Sequence, residues 1–282
     1  MAGREPQTII ITGAGDGIGA AAAKQLAERG ERVVVVGRSA AKTAAVADKI
    51  GAPHHLADFA ELAQVRALAD ELLEAYPKID VLANNAGGIF RRESTVDGFD
   101  KTLQVNHLAP FLLTNLLLDR LADAGGAKVI ATSSIGARLF GHLDVDDLNN
   151  ERRWSANKSY GDAKLANILF TRELHRRYHD RGIAAVSFHP GNVATAFAND
   201  TSSVLALVFG NPLTRLSLDS PAKAGGKLVW LAEGTPGQTW KSGEFYDNNK
   251  VSPRWKMNRQ SFDDNLAARL WERSAVMTGV GG

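Results

Sequence analysis

The sequence contains no cysteine. That excludes a disulfide framework, a thiolate nucleophile and any cysteine-ligated metal site, and it is compatible with a reducing cytoplasm. Neither sign of charge is in excess: 33 Lys and Arg against 31 Asp and Glu give a formal net charge of +2. Acids and bases are interspersed, so the chain lacks the basic field that nucleic-acid binding requires. Long apolar runs are missing too. The longest, 111–118 and 204–209, are far shorter than the roughly 20 residues of a membrane-spanning helix, and Met1 to Pro6 carry no apolar signal segment. What is present is ordinary for a soluble protein: 282 residues, 44% hydrophobic and 23% charged, enough chain to bury one substantial core.

Short β-branched runs alternate with helical ones, the pattern of βαβ units and a parallel sheet. Thr8 to Thr12, Arg32 to Gly37, His54 to Ala57, Asp80 to Asn84, Lys128 to Ser133 and Ala184 to His189 read as strands, and Glu244 to Asp247 as a seventh. Helical stretches are expected near 17–29, 40–50, 60–76, 99–124, 156–180, 221–233 and 261–276. No break demands a second domain. The fold expected is a single-domain α/β, an open doubly wound sheet of about seven strands flanked by helices. Ligands of such sheets bind outside the carboxyl ends of the strands.

Tyr160 and Lys164 stand four residues apart at the start of a strongly helical run, so they share one helix face. A cation beside a phenol favours the phenolate, which makes Tyr160 a candidate general acid/base. Spacing alone does not single it out, because Tyr246 and Lys250 repeat it among Asp and Asn residues that read as strand end and turn. Near the start, Thr12-Gly13-Ala14-Gly15-Asp16-Gly17-Ile18-Gly19 follows a strand and opens a helix. In that context glycines let backbone N–H groups approach a pyrophosphate at a helix N-terminus.

With that glycine spacing and Tyr160/Lys164 together, the chain resembles the short-chain dehydrogenase/reductase family over nearly its whole length. Asn84-Asn85-Ala86-Gly87, Asn106 within Val105-Asn106-His107, Ser133-Ser134 and Pro190-Gly191 match the family pattern in order. The resemblance implies a catalytic tetrad of Asn106, Ser134, Tyr160 and Lys164, acting with a nicotinamide cofactor on a carbonyl or alcohol. Tyr160 would exchange a proton with the substrate oxygen, Ser134 would polarise it, and Lys164 would hold the nicotinamide ribose and depress the Tyr160 pKa. Asn106 would anchor a water leading to solvent. Only one of two adjacent strand serines can face Tyr160, and Ser134 is chosen by resemblance.

The resemblance also implies that Gly13, Asp16, Gly17, Ile18 and Gly19 form the cofactor-binding loop and that Asp58 and Phe59 contact adenine. Asn85, Ala86 and Gly87 would line the cofactor, and Pro190, Val193 and Thr195 would meet the carboxamide end. At the end of the second strand stand Arg38 and Ser39 rather than an acid, which favours NADP(H) and leaves NAD(H) open. The acid at Asp16, where many NADP-using relatives carry a base, argues the other way. Residues 196–220 correspond to a variable, here apolar, substrate lid, suiting a hydrophobic small-molecule substrate. The segment from Ser134 to Tyr160 and the run Lys164 to Leu174 are most similar to the retinol-dehydrogenase-like branch and its bacterial relatives. Helices 99–124 and 156–180 form a dimer face in many relatives, which implies a homodimer or homotetramer. A non-catalytic cofactor-binding sensor is the rival reading, against which the complete tetrad stands. No metal is expected: His54 and His55 point to opposite sides of a strand, and Ser155-Ala156-Asn157-Lys158 matches S-x-x-K without its companion motifs.

Overall fold

The β-branched runs form strands close to the expected places: β1 (Thr8–Thr12), β2 (Arg32–Gly37), β3 (His54–Leu56), β4 (Val81–Asn84), β5 (Ala127–Thr132), β6 (Ile183–His189) and β7 (Phe245–Asp247). The computed structural model describes residues 5–191 and 219–280. Its sheet has eight strands rather than seven, in the order β3-β2-β1-β4-β5-β6-β7-β8. The added strand, β8 (Lys250–Val251), pairs antiparallel with β7. Asn248 and Asn249 turn that corner with φ of 49° and 59°, a left-handed conformation that Asn tolerates and a two-residue hairpin requires. Tyr246 and Lys250 therefore lie on two strands of a hairpin, not on one helix face.

Strand alternation divides the core. Ile10, Val34 and Val36 face one side, where they pack with α3 (Leu62–Ala75) and with Phe111, Leu112 and Leu113. Ile9, Ile11, Val33 and Val35 face the other, against α1 (Gly17–Ala27), α2 (Ala40–Ile50) and Leu228 to Ala232. Such two-sided burial is why these strands read as continuous apolar runs. The strand order reverses between β1 and β4, so a crevice opens at the carboxyl ends of those strands.

The stretch expected as one helix over 99–124 is not continuous. It comprises α4 (Lys101–Leu103), a π-helical turn (Gln104–Leu108), α5 (Ala109–Leu116) and α6 (Leu118–Asp123). Pro110 has no N–H to give to the carbonyl four residues back, that of Asn106. The ladder widens there, and the Ala109 N–H reaches the Gln104 oxygen instead. A short helix, α7 (Gly136–Leu139), precedes the long α8 (Ala156–Tyr178), with α9 (Pro221–Glu233) and α10 (Asp264–Thr278) completing the described helices. α10 packs against α5 and α8. Trp271 lies 5.0 Å from the Phe111 ring, edge to face, and stacks on Phe170 at 5.7 Å.

Candidate active site

The glycine loop is shaped by close approach. Gly13 and Gly17 have φ of 65° and 56°, the left-handed region open to glycine at no steric cost. A Cβ on Gly13 would stand 2.7 Å from the Ala86 Cα, and one on Gly19 2.5 Å from the Gly13 oxygen. Thr12 locks the loop to the end of β4, its hydroxyl donating to the Ala83 oxygen and accepting the Asn85 and Ala86 N–H groups at 3.0 and 3.1 Å. The Asn85 side chain donates to the Thr12 and Gly13 oxygens, so it braces the loop. Asp16 caps α1 by accepting the Gly17 N–H at 2.7 Å.

A cleft of about 480 Å³ runs from this loop to Tyr160. It is lined by every sequence-predicted site residue among the described positions except Gly19 and Asn106, which stand behind its wall. Val193, Thr195 and all of the expected lid except Asp219 and Ser220 lie outside the described residues. At the β2 end Arg38 is mostly exposed, 4.0 Å from Asp58, and Ser39 caps α2. Lys42, which the sequence reading missed, sits in the first turn of α2 and lines the same end. Its ammonium pairs with Asp16 at 2.8 Å and holds that carboxyl below its usual range. The acid that argued against a nearby phosphate is thus partnered by a base three residues after Ser39. Glycine cradle, helix N-terminus and exposed bases fit a dinucleotide with its phosphates on the loop.

At the other end the four tetrad residues come together. Tyr160 is buried and hydrogen-bonded to the Ser134 hydroxyl, which also accepts the Gly136 N–H at 3.0 Å. Ser133 points away, donating to the Lys164 carbonyl at 2.6 Å beneath α8. The Lys164 ammonium lies 5.6 Å from the centre of the Tyr160 ring and donates to the Thr132 oxygen at 3.1 Å. Asn106, on the π turn, donates to the Gly88 and Thr102 oxygens and accepts the Gly88 N–H. A Cβ on Gly87 would stand 2.5 Å from the Asn106 Oδ1 and 3.1 Å from the Lys164 Nζ, so Gly87 is the spacer between cleft, amide and ammonium.

The electrostatics differ from the sequence expectation. Burial pushes Tyr160 up to about 12, the Ser134 hydrogen bond pulling weakly the other way, and burial pushes Lys164 down to about 7. Within the chain itself desolvation, not the lysine charge, sets the phenol. The S-x-x-K match is structural: Ser155 caps α8, and Lys158 pairs with Asp162 at 2.5 Å. His55 bonds Glu71 and Tyr76, while His189 borders the cleft. No group of three potential metal ligands occurs among the described residues, and no helix there is long and apolar enough to cross a membrane.

Residues 7–205 match the family model described as short chain dehydrogenase. The chain is 45% identical over 281 residues to DnrU of Streptomyces sp. (strain C5), provisionally named a daunorubicin C-13 ketoreductase, covering 97% of this chain and 93% of that protein. It is 35% identical to human retinol dehydrogenase 13, covering 97% of this chain and 85% of that one. A crystal structure of an uncharacterised protein from Mycobacterium Paratuberculosis superposes with a TM-score of 0.74 at 31% identity, over 97% of this chain and 93% of the other. The chain therefore belongs to the short-chain dehydrogenase family, in its retinol-dehydrogenase-like branch, and is an oxidoreductase of that type.

Proposed function

We propose that this protein reduces an apolar ketone or aldehyde with NADP(H). The observation that carries the reading is the convergence of Ser134, Tyr160 and Lys164 at one end of a cleft whose other end is a glycine-loop cradle. When bound, the nicotinamide supplies or accepts the hydride. Tyr160 and Ser134 then share one task, hydrogen-bonding the substrate oxygen from two sides. A phenol whose pKa is held well above neutrality stays protonated at working pH, the form needed to donate to an alkoxide developing on the carbonyl oxygen. Lys164, held near neutrality, can hold or release a proton beside it without a large energetic penalty. Arg38 and Lys42 would grip the 2′-phosphate, while Asp58 and Phe59 line the adenine side.

The substrate end supports an apolar ligand. Phe90 and Phe140 line it with Ile135 and Leu139, and the last two remain 42% and 57% exposed. The test is a titration of NADP(H) against NAD(H), followed by a ketone and aldehyde panel with the tighter cofactor. Turnover that Tyr160→Phe abolishes while cofactor binding persists supports the reading. Tighter binding of NAD(H) would refute the assignment of Arg38 and Lys42, and absence of cofactor binding would refute the reading as a whole.

A further inference from the structure

Beneath the tetrad a buried polar chain leads away from Lys164 and ends on the last helix. The Thr132 carbonyl accepts two donors, the Lys164 ammonium at 3.1 Å and the Asn167 amide at 3.2 Å. The Asn167 Oδ1 faces the Nδ1 of His107 at 3.4 Å, and the His107 Nε2 faces the Ser274 hydroxyl of α10 at 2.9 Å. Thr132 is 7% exposed and Asn167 5%, while His107, Lys164 and Ser274 are at 1% or less. Such groups are buried only when paired.

The directions of these bonds follow from one another. Asn167 spends its amide N–H on Thr132, so its oxygen must accept, and His107 must carry its proton on Nδ1. Burial keeps the imidazole neutral, its pKa lowered to about 4. Nε2 is then an acceptor, and the Ser274 hydroxyl donates to it. One tautomer satisfies the whole chain. The π turn makes this register available: it carries Asn106 toward Gly88 and the next residue, His107, toward α8. A widened turn of this kind is commonly found at functional sites.

We propose that Asn167 and His107 are positioning residues for the catalytic lysine, holding the Thr132 carbonyl so that the Lys164 ammonium keeps its place under Tyr160, with Ser274 of α10 closing the chain. The proposal rests on the oxidoreductase reading for its kinetic consequence only. The Thr132 carbonyl has two lone pairs, one for the Asn167 amide and one for the Lys164 ammonium. Removing the amide frees that carbonyl to move and changes the polarity around the ammonium, and the Lys164 pKa responds to both.

The test compares Asn167→Leu, His107→Leu and His107→Asn with the unaltered full-length chain. His107→Asn keeps a donor near the Nδ1 position, whereas His107→Leu does not. The first readout needs no substrate: the Cε and Nζ chemical shifts of Lys164 in lysine-labelled protein, followed against pH and assigned with Lys164→Met. Asn167→Leu is expected to shift the Lys164 midpoint by about half a pH unit or more. His107→Leu should shift it less, and His107→Asn should restore it. The second readout is turnover: kcat falls about tenfold in the two Leu variants with the cofactor KM nearly unchanged, and recovers in His107→Asn. If a Leu variant does not fold, Ser274→Ala breaks the chain at its far end and is expected to shift the same midpoint. An unchanged Lys164 midpoint in folded variants overturns the proposal, whether or not the protein turns over a carbonyl. A shifted midpoint in a protein with no turnover would instead refute the proposed carbonyl reduction and leave the positioning chain standing.

Discussion

Lys42 and Arg38 offer the sharpest test of cofactor choice, because neither is committed to holding the fold. The Lys42–Asp16 pair is 59% and 62% exposed, and Arg38 is 62% exposed at 4.0 Å from Asp58. Exposed pairs of this kind contribute about 0–1 kcal/mol to stability, so Lys42→Ala and Arg38→Ala should melt close to the unaltered protein. A bond from a cation to a phosphate contributes more, about 1.5–3 kcal/mol, which corresponds to about 10- to 100-fold in Kd. Each variant is therefore expected to bind NADP(H) about 10- to 100-fold more weakly while its NAD(H) affinity changes little. Lys42→Ala should show the larger loss, since it also leaves the Asp16 carboxylate without its partner. Adding Asp16→Asn to Lys42→Ala should recover part of it, because Asn still caps α1. Fluorescence titration of both cofactors against the variants reads the result. An equal loss for both cofactors, or none for either, would refute the assignment of the 2′-phosphate to these two side chains.

Gly87→Ala should lower kcat about 10- to 100-fold, since its Cβ would displace the Asn106 oxygen 2.5 Å away and the Lys164 ammonium 3.1 Å away, and small misplacements in an active site carry costs of that order. Steady-state kinetics beside a thermal melt separates this from unfolding. The buried lysine also makes stability depend on pH. Its pKa is about 7 folded against 10.5 for an ordinary lysine, so between those values the unfolded chain binds a proton that the folded one lacks, and stability rises with pH across that window. One such proton gives a limiting slope of about 1.4 kcal/mol per pH unit, and Lys164→Met should flatten it. Urea unfolding of both proteins across neutral and alkaline pH checks it, and parallel curves would contradict it.

Local pattern carried the strands: β1 and β2 begin and end where their β-branched runs do, because such runs suit burial on both faces. Tyr160 was legible through helical spacing joined to the glycine loop, and Ser134 rather than Ser133 is the one that reaches it. The interruption of 99–124 was signalled by one residue, Pro110, but the π register it produces depends on what Asn106 and His107 bond across space. Lys42 could have been found as the base on the first turn after the Ser39 cap. The two-residue strand β8 and the four-residue helix α7 are too short for periodicity to reveal. The pKa values of Tyr160 and Lys164 were the least legible feature. Spacing predicts a phenol lowered by its neighbour, whereas burial, in part against Gly136 of α7, raises it, and burial is a property of the assembled fold.

In the proposed reaction Tyr160 gives the substrate oxygen its proton while the rest of the cleft holds the cofactor. Single-turnover reduction of a carbonyl substrate by Tyr160→Phe, with NADPH binding measured on the same sample, tests it most directly. Cofactor affinity should be unchanged and the reduction step slowed about 10²- to 10⁴-fold, the usual contribution of a positioned general acid. Reduction at the unaltered rate by Tyr160→Phe would contradict it.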